Sequence, residues 1–232
     1  MLGLTAGFVN AAGFLAFAVL TTNVTGHAAL FAEKIAMQDW ETAHVVALWM
    51  FLFLFGAFVS SVIVSFIGRN QRYSYVLPIL IEIIILGIVA LEGYRYNGTI
   101  VGKEIFAGSL LFVMGIQNAL VSMVSGSVVR TTHLTGTFTD LGIELAQVLK
   151  KDTAERAIIK SRIKLRLVII FFFLFGALTG AYLYKRVGFS AFFLPIAVLA
   201  YTLFYDVMRI QFKRIIHNWI NQKNKYNNDV SS

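Results

Sequence analysis

The stretch Thr21-Thr22-Asn23-Val24-Thr25-Gly26 returns as Thr131-Thr132-His133-Leu134-Thr135-Gly136 in a chain that is otherwise almost entirely apolar. Each copy follows a long hydrophobic run that carries an amide, Asn10 within Gly7-Phe8-Val9-Asn10-Ala11 and Asn118 within Gly115-Ile116-Gln117-Asn118-Ala119. Further along, Phe53-Leu54-Phe55-Gly56-Ala57 matches Phe173-Leu174-Phe175-Gly176-Ala177, and the only two prolines are Pro78 and Pro195. These landmarks recur in one order at offsets of about 110, 120 and 117 residues. A duplicated unit accounts for all of them together, with repeat one over 1–100 and repeat two over 101–208.

Composition places both copies in a membrane. Of 232 residues 58% are hydrophobic and 14% charged, against about 25% charged in ordinary soluble domains. Mean hydropathy is +0.74. Six apolar runs, near 3–20, 44–67, 75–92, 104–129, 165–184 and 188–208, approach or exceed the roughly 20 residues a helix needs to cross hydrocarbon. The expected fold is an all-α polytopic membrane protein, one domain of six transmembrane helices. Without cysteine, disulfides and thiolate chemistry are excluded. The first run has neither a basic flank before it nor a convincing cleavage site after it, so it is expected to be retained.

Net charge is +8, a value that suggests nucleic acid until its distribution is read. Arg69, Arg72, the group from Arg130 to Arg166 and the group from Arg209 to Lys225 hold fifteen of the twenty basic residues. The intervening loops hold Lys34, Arg95, Lys103, Lys185 and Arg186. By the positive-inside rule this bias puts both termini in the cytoplasm. The basic segment 209–232 is then expected against anionic lipid headgroups, not on nucleic acid. Three spans per copy, an odd number, make the second copy enter from the opposite side, so the expected relation is an inverted repeat.

After each Thr-Gly motif comes a short helical pattern, His27–Met37 and Thr137–Leu149. At 1.5 Å per residue these reach about 16–20 Å, half a bilayer. Gly26 and Gly136 are expected to free the backbone for the turn, and Thr137 with Asp140 has capping-box-like spacing. Each motif thus reads as a helix break followed by a half-helix. Broken backbone at membrane depth survives only inside protein or against a wet cavity. Helix N-termini there favour anions or carbonyl oxygens. The candidate solute-binding residues are therefore Asn10, Thr22, Asn23, Thr25, Gly26, Gln117, Asn118, Thr132, His133, Thr135 and Gly136. The competing reading is that the threonines only cap the breaks and the amides only join helices.

Glu82, set among Ile and Leu in the third span, is a candidate coupling group, because intramembrane carboxylates are costly and functional by default. Its counterpart in repeat two is Leu199, so it lies outside the shared pattern. Asp140 is the second coupling candidate. Asp206 and Arg209, three apart, are expected to pair with each other, and Arg130 to meet a lipid phosphate. No spacing suits a metal, a phosphate loop or a nucleophile with its base. Neither a cofactor nor an enzyme activity is expected. Gly56 and Gly176 allow close helix approach, within one protomer or in a homo-oligomer.

The second amide run with Thr131–Gly142, and the first with Asn23–Gly26, resemble the YoaK-like family of bacterial inner-membrane proteins, a domain of unknown function. The resemblance spans essentially the whole chain. It departs at two places: the family commonly has an acidic residue where Asn10 stands and an asparagine where His27 stands. The resemblance implies six spans in a bacterial inner membrane and brings no substrate. From the residues themselves, the expected function is a small secondary transporter or channel for a polar solute, anions included. A non-transporting scaffold, sensor or lipid-binding protein is the alternative.

Overall fold

The computed structural model describes residues 1–68, 74–96, 99–124, 134–150, 153–205 and 208, and they are helical with no strand among them. The helices are α1 (Leu2–Phe17), α2 (Val24–Ala36), α3 (Trp40–Ile67), α4 (Val76–Glu92), α5 (Ile100–Val124), α6 (Leu134–Lys150) and α7 (Thr153–Val187), with α8 over 193–205. Short 3-10 turns at Gly93–Arg95 and Gly188–Phe192 lead out of α4 and α7.

Local chemistry explains the boundaries. Ala18 closes α1 in the left-handed region at φ 55°, its N–H bonded to the Phe14 carbonyl. Asp39 caps α3 by accepting the Thr42 N–H at 3.2 Å. Gly188, at φ 59°, turns the chain at the end of α7 where a Cβ would be strained. Pro78 and Pro195 are each the third residue of their helix, α4 and α8. A first-turn N–H has no intrahelical acceptor, so a proline there removes nothing.

Four helical stretches are long and apolar enough to cross a bilayer: Trp40–Ile67, Val76–Arg95, Val101–Met123 and Glu155–Tyr205. The last is not one rod. After Gly188 the chain folds back, with the Tyr184 ring 5.4 Å from Phe189 and 6.5 Å from Phe192. Thr202 of α8 then shares a pocket with Val168, Ile169 and Phe172 of α7, so α8 runs back beside α7. The run expected over 3–20 stops at Phe17, leaving α1 with 16 residues. The run expected over 165–184 is the C-terminal part of a 35-residue helix, about 52 Å long at 1.5 Å per residue. Its charged first turns, exposed at Arg156, Lys160, Arg162 and Lys164, extend past any apolar layer.

Packing places α5 at the centre. Its apolar window is 61% buried, against 17% for α3. Phe51, Phe55 and Phe58 of α3 and Phe171, Leu174, Phe175 and Leu178 of α7 point outward and are exposed, surfaces that hydrocarbon would solvate and water would not. α3 lies along α5 and α1 along α7, while α2 packs on α3 and α6 on α7. Glycines make the two long contacts close. A Cβ on Gly7 would strike the Phe173 carbonyl, and one on Gly115 the Phe53 carbonyl. Likewise Gly176 abuts the Leu4 carbonyl and Gly56 the Phe112 carbonyl.

Candidate functional site

The first break is built by its own side chains. The Thr22 N–H donates to Asn10 Oδ1 at 3.1 Å, so an amide in mid-helix supports the backbone that leaves α1. The Asn23 carboxamide accepts the Gly26 N–H at 3.0 Å and caps α2. His27 is buried; its Nε2 donates to the Leu20 carbonyl at 2.8 Å, and its ring packs 5.6 Å from Trp49. Asn23 within the motif, with Asn10 before it and His27 just after it, therefore satisfies the backbone of the break.

Two details differ from expectation. Both half-helices start inside their motifs, at Val24 and Leu134, three residues earlier than the hydrophobic pattern suggested. Gly26 and Gly136 are consequently helical and do not make the turn. Gly26 serves the cap instead, since a Cβ there would lie 2.9 Å from Asn23 Cγ. Thr137 is likewise within α6, not at a cap, and Asp140 pairs with Arg166 at 3.0 Å. Gly26→Ala is expected to cost about 1 kcal/mol by expelling the cap. In an Asn23→Gly background the same change should cost close to nothing. Thermal unfolding of the single and double variants in detergent checks this, and equal costs in both backgrounds would remove the steric account.

Around the break lies a cavity of 520 Å³, lined by the polar residues Asn10, Thr22, Asn23, Thr25, Asn118 and Thr135. Val24 and Leu134, the first residues of α2 and α6, line it too, with Met50, Phe53, Leu54 and Ala57 of α3 and Phe173 of α7 among its apolar walls. Its size falls within the roughly 300–1,000 Å³ of small-molecule sites. Among the described residues that line it none is charged. The N-terminal ends of two helices open on it, bringing donor N–H groups and positive dipole ends to neutral hydroxyls and amides.

Of the expected solute residues, the structure brings Asn10, Thr22, Asn23, Thr25, Asn118 and Thr135 to one place. Gln117 is elsewhere: it is buried and its Nε2 donates to the Leu2 carbonyl at 2.6 Å. Gly26 and Gly136 are not among its lining residues. Thr132 and His133, with Arg130 and the Asp206–Arg209 pair, lie outside the described residues. Glu82 is fully buried in α4, and both its carboxyl oxygens lack a hydrogen-bond partner among the described residues. Phe53 and Phe173 are wall residues that motif reading missed. Their signal was present, because the two Phe-Leu-Phe-Gly-Ala runs mark the duplication that relates them.

A family model described as a protein of unknown function (DUF1275) matches residues 1–205. The chain belongs to this family. The YoaK-like resemblance of its motifs is to the same DUF1275 family. No curated protein and no solved structure matches the chain. The DUF1275 match ends at the last described turn of α8 and takes in every residue that lines the cavity.

Proposed function

We propose that this DUF1275 member is a small secondary transporter or channel of six spans in two inverted repeats. Its solute is small and polar, anions included, and binds in the cavity between the two Thr-Gly motifs. One observation carries the proposal: Val24 and Thr25 at the start of α2 and Leu134 and Thr135 at the start of α6 line one 520 Å³ space. Two half-helices ending at a shared polar cavity are how inverted-repeat transporters hold a solute at mid-membrane. Neutral hydroxyls and amides facing positive helix ends suit a carboxylate, a small inorganic anion or a carbonyl-bearing solute. The charge bias supports both termini in the cytoplasm, and the YoaK-like resemblance implies the bacterial inner membrane.

Glu82 is the proposed coupling group. An unpartnered carboxyl in a span is costly to keep, and its counterpart Leu199 occupies an equally buried place without any polar group. Asp140 is a weaker candidate because Arg166 already holds it.

Single changes Asn10→Ala, Thr25→Ala, Asn118→Ala and Thr135→Ala test the site. Purified variants in liposomes are assayed for flux of chloride, nitrate, acetate, glycine and glycerol. The parent should pass at least one of these, and the variants that stay monodisperse should lose about tenfold, the loss of one charge-assisted hydrogen bond. Equal flux in the parent and all four variants would discard the site. A parent inert to all five solutes would favour the non-transporting scaffold or lipid-binding reading.

A further inference from the structure

The glycine contacts have a pattern that neither half of the sequence contains alone. On α7, Gly7 of α1 meets the Phe173 carbonyl carbon, and a Cβ there would sit 3.0 Å from the Ala177 nitrogen. On α3, Gly115 of α5 meets the Phe53 carbonyl carbon, and a Cβ there would sit 3.1 Å from the Ala57 nitrogen. Phe53 and Ala57 correspond to Phe173 and Ala177 in the repeated run, as Gly7 and Gly115 correspond in the amide runs. The reverse contacts obey the same rule: Gly176 meets Leu4, Gly56 meets Phe112, and Leu4 and Phe112 stand at the offset that relates Asn10 to Asn118. Each contact joins a first-copy helix to a second-copy helix.

We infer that the working bodies of this protein are two mixed helix pairs, α1 with α7 and α3 with α5, seated by Gly7, Gly176, Gly56 and Gly115 as positioning residues. This rests on the transport reading of the cavity and deepens it. Where backbones touch, van der Waals contact is at its closest and a side chain cannot intervene, which is what holds helices together in lipid. Such contacts favour one register, because sliding by a residue sets a side chain where only a glycine fits. The half-helices follow their pairs, α2 on α3 and α6 on α7.

The cavity then lies between the pairs and not inside either. One wall is Asn10, Leu134, Thr135 and Phe173 from α1, α6 and α7; the other is Asn118, Phe53 and the residues of α2 and α3. Rocking one mixed pair against the other opens the solute site, whereas moving one sequence half against the other would tear all four glycine contacts. The Gln117 to Leu2 hydrogen bond ties α5 to α1 and stands where the two pairs touch.

The chain has no cysteine, so spin labels can be placed without background. Leu15 of α1, Phe58 of α3, Ile105 of α5 and Leu178 of α7 are all exposed and receive cysteine in twos. Electron–electron distances are measured in lipid nanodiscs with and without sodium chloride and sodium nitrate. The expected result is one narrow, unchanging distribution for Leu15 with Leu178 and for Phe58 with Ile105. Leu15 with Phe58, and Ile105 with Leu178, should be broad or move. The opposite assignment, rigid within each sequence half and variable within the mixed pairs, would overturn the inference, as would four narrow and unchanging distributions. Gly115→Ala should broaden only Phe58 with Ile105, and Gly7→Ala only Leu15 with Leu178. Broadening of both by either change would show general loosening and count against positioning. None of these distances depends on flux, so a failure here is distinct from a failure of the solute assay.

Discussion

Arg166→Met is expected to lower the stability of the folded chain by about 3–5 kcal/mol, the cost of leaving a buried charge without its partner. Arg166 Nε donates to Glu144 Oε2 at 2.7 Å and Nη2 to Oε1 at 3.0 Å, a two-point fork. The Glu144 side chain is 7% exposed with Arg166 in place, while Asp140 on the same guanidinium is 50% exposed and matters less. Arg166→Lys keeps the charge but not the planar fork and should recover only part of the loss. Arg166→Met with Glu144→Leu should recover most of it, since the pair vanishes together. Chemical unfolding in micelles gives the four values. A single Arg166→Met loss under about 0.5 kcal/mol, typical of a surface change, would show that Glu144 is solvated after all. Because this fork holds α6 on α7, the single variant should also free Leu134 and Thr135 from the cavity wall.

Glu82→Leu carries the second large effect, of opposite sign. It should stabilise the protein by about 1–3 kcal/mol, the usual cost of a buried polar group left without a hydrogen bond. The prediction rests on two carboxyl oxygens that are buried without a partner among the described residues and on Leu199, which is fully buried at the related place. Glu82→Gln, still polar and still unpartnered, should gain little. If Glu82 couples transport, the leucine variant will be the more stable protein and the poorer transporter, a usual exchange at functional sites. A leucine variant less stable than the parent would mean that the carboxyl has a structural partner.

Membrane character and the first Thr-Gly break were legible in the residues, because each depends on pattern along the chain. Hydrophobic runs set span length, and a motif repeated in register marks its copy. The half-helices were legible as elements but not in their first turns. Their N-termini were expected at His27 and Thr137, since hydrophobic periodicity is blind to a turn held by one side chain. The Asn23 cap brings α2 forward to Val24 and makes Gly26 a helical residue with no room for a Cβ. Six of the expected solute residues converge because Asn10, Asn118 and the motif threonines sit at related places in both copies. Gln117 stands beside Asn118 in sequence but about 100° round the helix, which directs it to the Leu2 carbonyl.

Sequence alone was enough for the count of apolar runs, the charge bias and the correspondence between copies, all of which are one-dimensional quantities. Which helix lies against which was decided only in three dimensions. The Phe-Leu-Phe-Gly-Ala run is equally fit to seat a neighbour from its own copy or from the other. Backbone shape, not side-chain chemistry, makes that choice: a glycine contact needs two helices to cross at one register and one angle. Those crossings pair α1 with α7 and α3 with α5, and they leave between the pairs the cavity that two distant Thr-Gly motifs share.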